Sequence, residues 1–293
     1  MNSSNPKLKR SLGLKALMAT GICSMLGASI NVVPFMIHRS VPGIDSYVLP
    51  AFIFAMLPAF FAALAYGILS SAMPRAGGSY IYASRGLNPY FGFIASFSQW
   101  FGLSIVIGVI AYICVSFIRD VVIGLGFTEA ALLFELPTVK IGISLALIWL
   151  FVFVNIRGAS MYKKTLLPMM YLMFVLGFAV IISGFYFDTS DFVAALQAKE
   201  SKVINIDQIS RFDWRVFLSA SALLFSSFIG FDSIAQAGSE AKNPTKTLPK
   251  AIVLAIFSVG CFYFLFTTAV YHTVPWSFVA EESKLRDISA PGL

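Results

Sequence analysis

Two stretches of this sequence put glycines, small hydroxyl residues and one carboxylate inside otherwise apolar windows. Residues 21–31 read GICSMLGASIN, and residues 225–233 read FSSFIGFDS. Glycine tolerates backbone conformations that other residues avoid, and small neighbours let a second segment approach closely. Either run alone is what tight helix packing through small residues also requires. Together they say more, because five apolar spans separate them and they cross in opposite directions. Interrupted segments at corresponding places in two inverted halves are the sequence signature of a transporter-type binding site. A helix broken at mid-membrane exposes N–H groups with partial positive charge on one side and carbonyls with partial negative charge on the other. The first favour an anion such as a carboxylate, and the second favour a cation such as an ammonium. Both in one place suit a small zwitterion, of which a free amino acid is the obvious case.

Other chemistry is excluded or unsupported. Cys23, Cys114 and Cys261 lie inside apolar runs and read as free structural thiols. His38 and His272 fall at span ends, without ligand spacing for a metal. No Ser/His/Asp set argues for an enzyme, and no G-x-x-x-x-G-K-[ST] loop for nucleotide-driven work. Asp232 is the one carboxylate well inside a span. An ionisable group at that depth is expensive and is a functional hypothesis by default. Its structural alternative is capping of the half-helix that follows the break.

The elements that must position these residues follow from composition. The chain has 293 residues, 58% of them hydrophobic and only 12% charged, and its mean hydropathy is +0.82. Soluble domains carry about 25% charged residues, so a soluble globule, a disordered chain and a small disulfide scaffold are all ruled out. An all-α integral membrane protein remains. Seven apolar windows are long enough to span a bilayer, roughly Leu14–Ile37, Val48–Ala72, Phe91–Ile118, Val139–Asn155, Thr165–Phe187, Trp214–Gly238 and Leu248–His272. With the N-terminus cytoplasmic, the inside segments collect Lys7, Lys9, Arg10, Lys15, Arg75, Arg85, Arg157, Lys163, Lys164, Lys242, Lys246 and Lys250, opposed by Glu240 alone. The positive-inside rule fixes that orientation. The net charge of +7 therefore belongs to cytoplasmic loops and marks no nucleic-acid surface. Residues 1–13 read as a cytoplasmic tail, 14–272 as the seven-span region and 273–293 as an extracytoplasmic, loop-like tail. The polar stretch Asp188–Asp213 reads as an outer loop, part helical.

Three stretches resemble the amino acid–polyamine–organocation superfamily of permeases. Gly21 to Ile30 is similar to its G-I-G-x-x-I-G-x-G-I. Residues 74–80, PRAGGSY, are similar to its P-x-A-G-G-x-Y. Residues 228–232, FIGFD, with 240–244, EAKNP, and 248–252, LPKAI, resemble its F-I-G-F-D/E … E-x-K-N-P … I-P-x-A-I. Order, spacing and sidedness agree over most of the chain.

The resemblance implies a LeuT-type inverted-repeat fold, here the first five-helix repeat plus two helices of the second, with spans one and six broken. It implies secondary transport of amino acids or related amines, by symport with H+ or Na+ or by exchange, with no cofactor and with membrane lipids as surroundings. Carried over by position, Gly27, Ala28 and Ser29 offer N–H groups and a hydroxyl to a substrate carboxylate. The carbonyls of Ser24, Met25, Ser226 and Ile229 face its ammonium, and Gly230 lies in the second break. Ser98 and Gln99 line the side-chain pocket, Gln99 having an interhelical hydrogen bond as its alternative. Asp232 takes a coupling or gating role. Cys23 and Ser29 stand where the family pattern has glycines. Met173 and Phe174 occupy the interior of span five, where many proton-coupled members carry a lysine. Members usually have ten or twelve spans, so a front part of a permease is expected, with an inactive truncated remnant or a seven-span receptor as alternatives.

Overall fold

The computed structural model describes residues 10–27, 29–200 and 211–285. Its elements are α1 (Leu14–Met25), α2 (Ser29–Ser40), α3 (Val48–Ala72), α4 (Ser79–Gly86), α5 (Pro89–Gly124), α6 (Thr128–Leu133), α7 (Pro137–Ile156), α8 (Ala159–Tyr186), α9 (Thr189–Glu200), α10 (Trp214–Leu224), α11 (Asp232–Gln236), α12 (Pro244–Thr273) and α13 (Trp276–Leu285). Among the described residues the only β pairing is an isolated bridge between Leu12 and Ala241. Seven segments are long and apolar enough to cross a membrane. Five are the continuous helices α3, α5, α7, α8 and α12. The other two are the pairs α1–α2 and α10–α11, each crossing with an interruption.

Local signals set the boundaries. Asn88 caps α5 by accepting from the Phe91 N–H at 3.1 Å, with Pro89 at the first helical position. Asp213 caps α10 through the Arg215 N–H at 2.7 Å. Proline likewise opens α7 and α12, where its missing N–H costs nothing. Asn243, just before Pro244, has φ +48°, a left-handed conformation that asparagine tolerates better than most residues.

In a membrane, apolar burial gives helices little reason to associate, and close packing of small residues takes its place. Helix α3 shows this along one stripe: Ala51, Ala55, Ala59, Ala63 and Gly67, spaced by four, are all buried. They let α3 lie close against α12, which is also packed by α1 and α8. A Cβ on Gly67 would sit 3.7 Å from Pro249 of α12, and one on Gly184 of α8 only 2.5 Å from the Ala269 carbonyl oxygen. Helix α12 is thus the axis of the molecule, with Tyr263 and Phe266 fully buried on it. Helices α5 and α7 are at the opposite extreme. Their large side chains, among them Trp100 and Trp149, face outward, as suits a lipid-facing surface.

Several boundaries differ from the sequence reading. The third span runs from Pro89 to Gly124, beyond the expected Phe91–Ile118, because an N-cap and a favourable sequence extend the helix past the apolar window. The region expected as a loop-like outer tail holds α13, which packs on α2 and buries Phe278 and Val279. Its short apolar face is too small to register in a span-length window. Residues 1–9 of the expected cytoplasmic tail and 286–293 of the outer one lie outside the described residues. Helix α9 fulfils the partly helical reading of the outer loop.

Gly184→Val should force α8 and α12 apart, since the obstacle is backbone. A fall of about 5 °C in the unfolding midpoint in detergent is expected, as overpacking of about 1–3 kcal/mol implies. Gly142→Val, where nothing lies within 4 Å of the added Cβ, should leave it unchanged.

Candidate functional site

Helix α1 ends at Met25. The chain makes one last helical bond, Leu26 N–H to the Ile22 carbonyl at 2.8 Å, and turns at Gly27 with φ +36°. Helix α2 starts at Ser29, and Ile30 N–H returns to the Leu26 carbonyl at 3.3 Å. Ala28 lies outside the described residues. The sixth span breaks differently. Helix α10 tightens into a 3₁₀ turn over Phe225–Phe228, Ile229 is extended, Gly230 has φ +132°, and α11 begins at Asp232.

The two breaks touch. A Cβ on Gly230 would lie 2.8 Å from the Ser24 Cβ and 3.0 Å from its carbonyl carbon, so both the backbone angle and the contact demand glycine. Ser233 Oγ donates to the Gly230 carbonyl at 2.6 Å, and Ser24 Oγ lies 3.3 Å from Ser233 Oγ. With the Ser233 proton committed, Ser24 is the donor in that pair.

The residues expected at the site divide by face. Ser24, Gly27, Ser226 and Ile229 are exposed beside the breaks, whereas Met25 and Gly230 are buried and Ser29 is half-buried. Ser29 Oγ lies 2.9 Å from the Met25 carbonyl, 2.8 Å from the Leu26 carbonyl and 2.6 Å from the Tyr263 hydroxyl, and that hydroxyl reaches the Met25 carbonyl at 3.3 Å. The Ser29 hydroxyl and the Met25 carbonyl are therefore engaged inside the protein. Ser226 Oγ donates to Leu223 at 2.6 Å, and its carbonyl accepts the Ile229 N–H at 3.1 Å. Gln99 Nε2 donates to Asp232 Oδ2, as does Gln236 Nε2 at 3.4 Å. The interhelical alternative for Gln99 is what the geometry shows, while Ser98 is exposed on α5.

Tyr263 escapes a sequence reading of the site, although a tyrosine inside an apolar span signals a buried hydroxyl in need of a partner. It is stacked on Phe52 with ring centroids 5.1 Å apart. Ser233 and Gln236 are missed as well. Gln236 lies four residues after Asp232, on the helix spacing where side chains meet, and Ser233 follows Asp232 directly.

The second resemblance stretch forms a floor on the side read as cytoplasmic. Gly78 has φ +42°, and a Cβ there would stand 3.4 Å from Gln236; one on Gly238 would meet the Arg75 carbonyl oxygen at 2.9 Å. Tyr66 and Ser79 share a hydrogen bond of 2.7 Å. Burial pushes the Tyr82 hydroxyl up to about 12, so it stays protonated. Leu12, itself buried, closes the base: its N–H donates to the Glu240 carbonyl at 3.0 Å, and its carbonyl accepts from Lys242 at 2.8 Å. No group of three or more His, Cys, Asp or Glu among the described residues could hold a metal.

Residues 12–290 match the family model described as amino acid permease. The branched-chain amino acid permease BcaP of Bacillus subtilis is 26% identical over 94% of this chain and 57% of its own length. BcaP of Lactococcus lactis is 28% identical over 92% and 57%. The mouse cationic amino acid transporter 4 is 23% identical over 98% and 44%. The chain thus spans about half the length of these relatives.

The exposure pattern of the first break is testable with thiols. With Cys23, Cys114 and Cys261 replaced by serine, Ser24→Cys should react with a hydrophilic maleimide at least about tenfold faster than Met25→Cys, whose side chain is buried. Equal rates would mean that the break offers no open face at Ser24.

Proposed function

Since the chain belongs to the amino acid permease family, we propose that this multi-pass membrane protein carries amino acids or related amines by secondary transport, as a symporter with H+ or Na+ or as an exchanger. The observation that carries the proposal is the contact of Gly230 with Ser24, two glycine-dependent breaks meeting inside the membrane. Broken backbone at that depth is tolerated where it lines a cavity or is buried in protein. Buried hydroxyls satisfy one side, and Ser24, Gly27, Ser226 and Ile229 are exposed on the other.

The substrate is an uncharged, aliphatic amino acid. A basic side chain needs a carboxylate to meet it, and Asp232, the one acid well inside a span, already accepts from two amides. Ile229, 54% exposed at the break, offers an apolar surface instead. The names of the two bacterial relatives point the same way. Asp232 is the coupling or gating group, the N-terminus faces the cytoplasm, and the cell membrane is the location. The family favours this reading over a seven-span receptor.

Purified chain in proteoliposomes should take up labelled leucine or isoleucine saturably under an imposed H+ or Na+ gradient, with arginine failing to compete. Asp232→Asn, inserted at normal yield, should lower uptake about tenfold or more. Competition by arginine as strong as by leucine would defeat the assignment to uncharged substrates. No uptake of any amino acid would leave this chain an inactive part of a permease.

A further inference from the structure

Helix α5 is the longest element of the molecule and is weakly attached to the group that carries the breaks. It packs against α4, α6 and α7. Its large side chains around the midpoint, Phe97, Trp100 and Phe101, point away from the protein. Among the described residues, the bond from Gln99 to Asp232 is the one side-chain hydrogen bond or ion pair that joins α5 to α1, α3, α10, α11 or α12. Asp232 is the first residue of the half-helix after the Gly230 break, so this bond ties α5 directly to the interrupted segment, beside the indirect connection through α4.

We infer that Gln99 is a positioning residue: by donating to Asp232 it docks α5 onto the lower half of the sixth span and closes the flank of the site formed by the two breaks. The inference rests on the carrier reading for its effect on transport, though not for the docking itself. A hydrogen bond is electrostatically stronger inside a protein than in water, and this one is partly buried. Gln236, on the same helix turn as Asp232, holds the carboxylate from within its own element and cannot substitute for a bond between elements. The Gln99 amide hydrogen is directed to Asp232, while the exposed backbone of the breaks is left to meet a substrate. Loss of the amide should therefore impair closure after binding more than binding itself.

Two measurements separate the docking from the transport reading. In a background where Cys23, Cys114 and Cys261 are serine, Gln99→Cys with Asp232→Cys should form an intramolecular disulfide on oxidation, seen as a gel shift reversed by reductant. Ser98→Cys with Asp232→Cys should not. Absence of the first disulfide overturns the inference whatever the transport result. Its formation in a chain whose parent takes up no amino acid would sink the carrier reading and leave the docking standing. In proteoliposomes, Gln99→Leu and the shorter Gln99→Asn should each cut the maximal uptake rate about tenfold, with KM held within about twofold. Gln99→Glu alone should be as poor, because two carboxylates then face each other. Combining Gln99→Glu with Asp232→Asn exchanges donor and acceptor across the same gap and should restore the unfolding midpoint in detergent that Gln99→Glu lowers, while uptake stays low because the Asp232 carboxylate is gone. A rise in KM at unchanged maximal rate in Gln99→Leu would place Gln99 on the substrate and overturn the positioning role. Failure of the exchange to restore the unfolding midpoint would overturn it too.

Discussion

Every N–H and carbonyl inside a bilayer has to find a partner within the protein, because the surrounding lipid offers none. The architecture follows from that demand. Continuous helices meet it by themselves. The first and sixth spans do not, since each opens its ladder for a few residues. Partners for those opened groups come from other elements: Tyr263 on α12 for the first break, Ser233 and the contact with Ser24 for the second. The rest of the bundle holds these donors in place.

Helix α12 is central for this reason. The Tyr263 hydroxyl reaches the Met25 carbonyl because α12 stands close to α1, where a Cβ added to Gly21 would lie only 3.4 Å from the Ala255 Cβ. The alanine stripe of α3, Gly184 against the Ala269 backbone and Gly177 against Phe262 all bring helices to α12 at separations a larger side chain would forbid. Packing through small residues is the available cohesive force in lipid. The same residues that hold the bundle together therefore determine the hydrogen bonds of the break. The outward-facing α5 and α7 lack such a stripe, and α5 reaches the breaks through one polar bond.

How much of this could be read from sequence depended on whether the signal was local. The spans, their sidedness and the two interruptions are carried by residues adjacent in the chain, and Gly27 and Gly230 adopt the positive φ angles that glycines at a break suggest. The PRAGGSY stretch was legible as a motif, but its reason was not. Gly78 and Gly238 are needed because the loop at Arg75 and the end of the sixth span press together, a contact between positions far apart in sequence. Ser29 illustrates the limit more sharply. Its place in the first break was plain, yet the direction of its hydroxyl depends on Tyr263, 234 residues later. Gln99 had a pocket and an interhelical bond as rival readings, and spacing alone could not choose between them. Helix α13 was invisible as a span because it is short and half polar.

Counting protons at the breaks shows which groups are left for a ligand. Each hydroxyl has one hydrogen. Ser233 gives its own to the Gly230 carbonyl, and Ser24 then gives its own to Ser233. Ser29 donates to one of two carbonyls at the end of α1, those of Met25 and Leu26, which leaves Tyr263 to donate either to Ser29 or to the Met25 carbonyl. The buried side of both breaks is thereby nearly saturated. Hydroxyl donors are used up there, and the exposed residues beside them are Ser24, Gly27, Ser226 and Ile229. A ligand at this place would be recognised by main-chain N–H and carbonyl groups, which every amino acid's own ammonium and carboxylate can satisfy. Discrimination among side chains has to come from the surface next to them, where Ile229 is apolar and the only nearby carboxylate is already held by two amides.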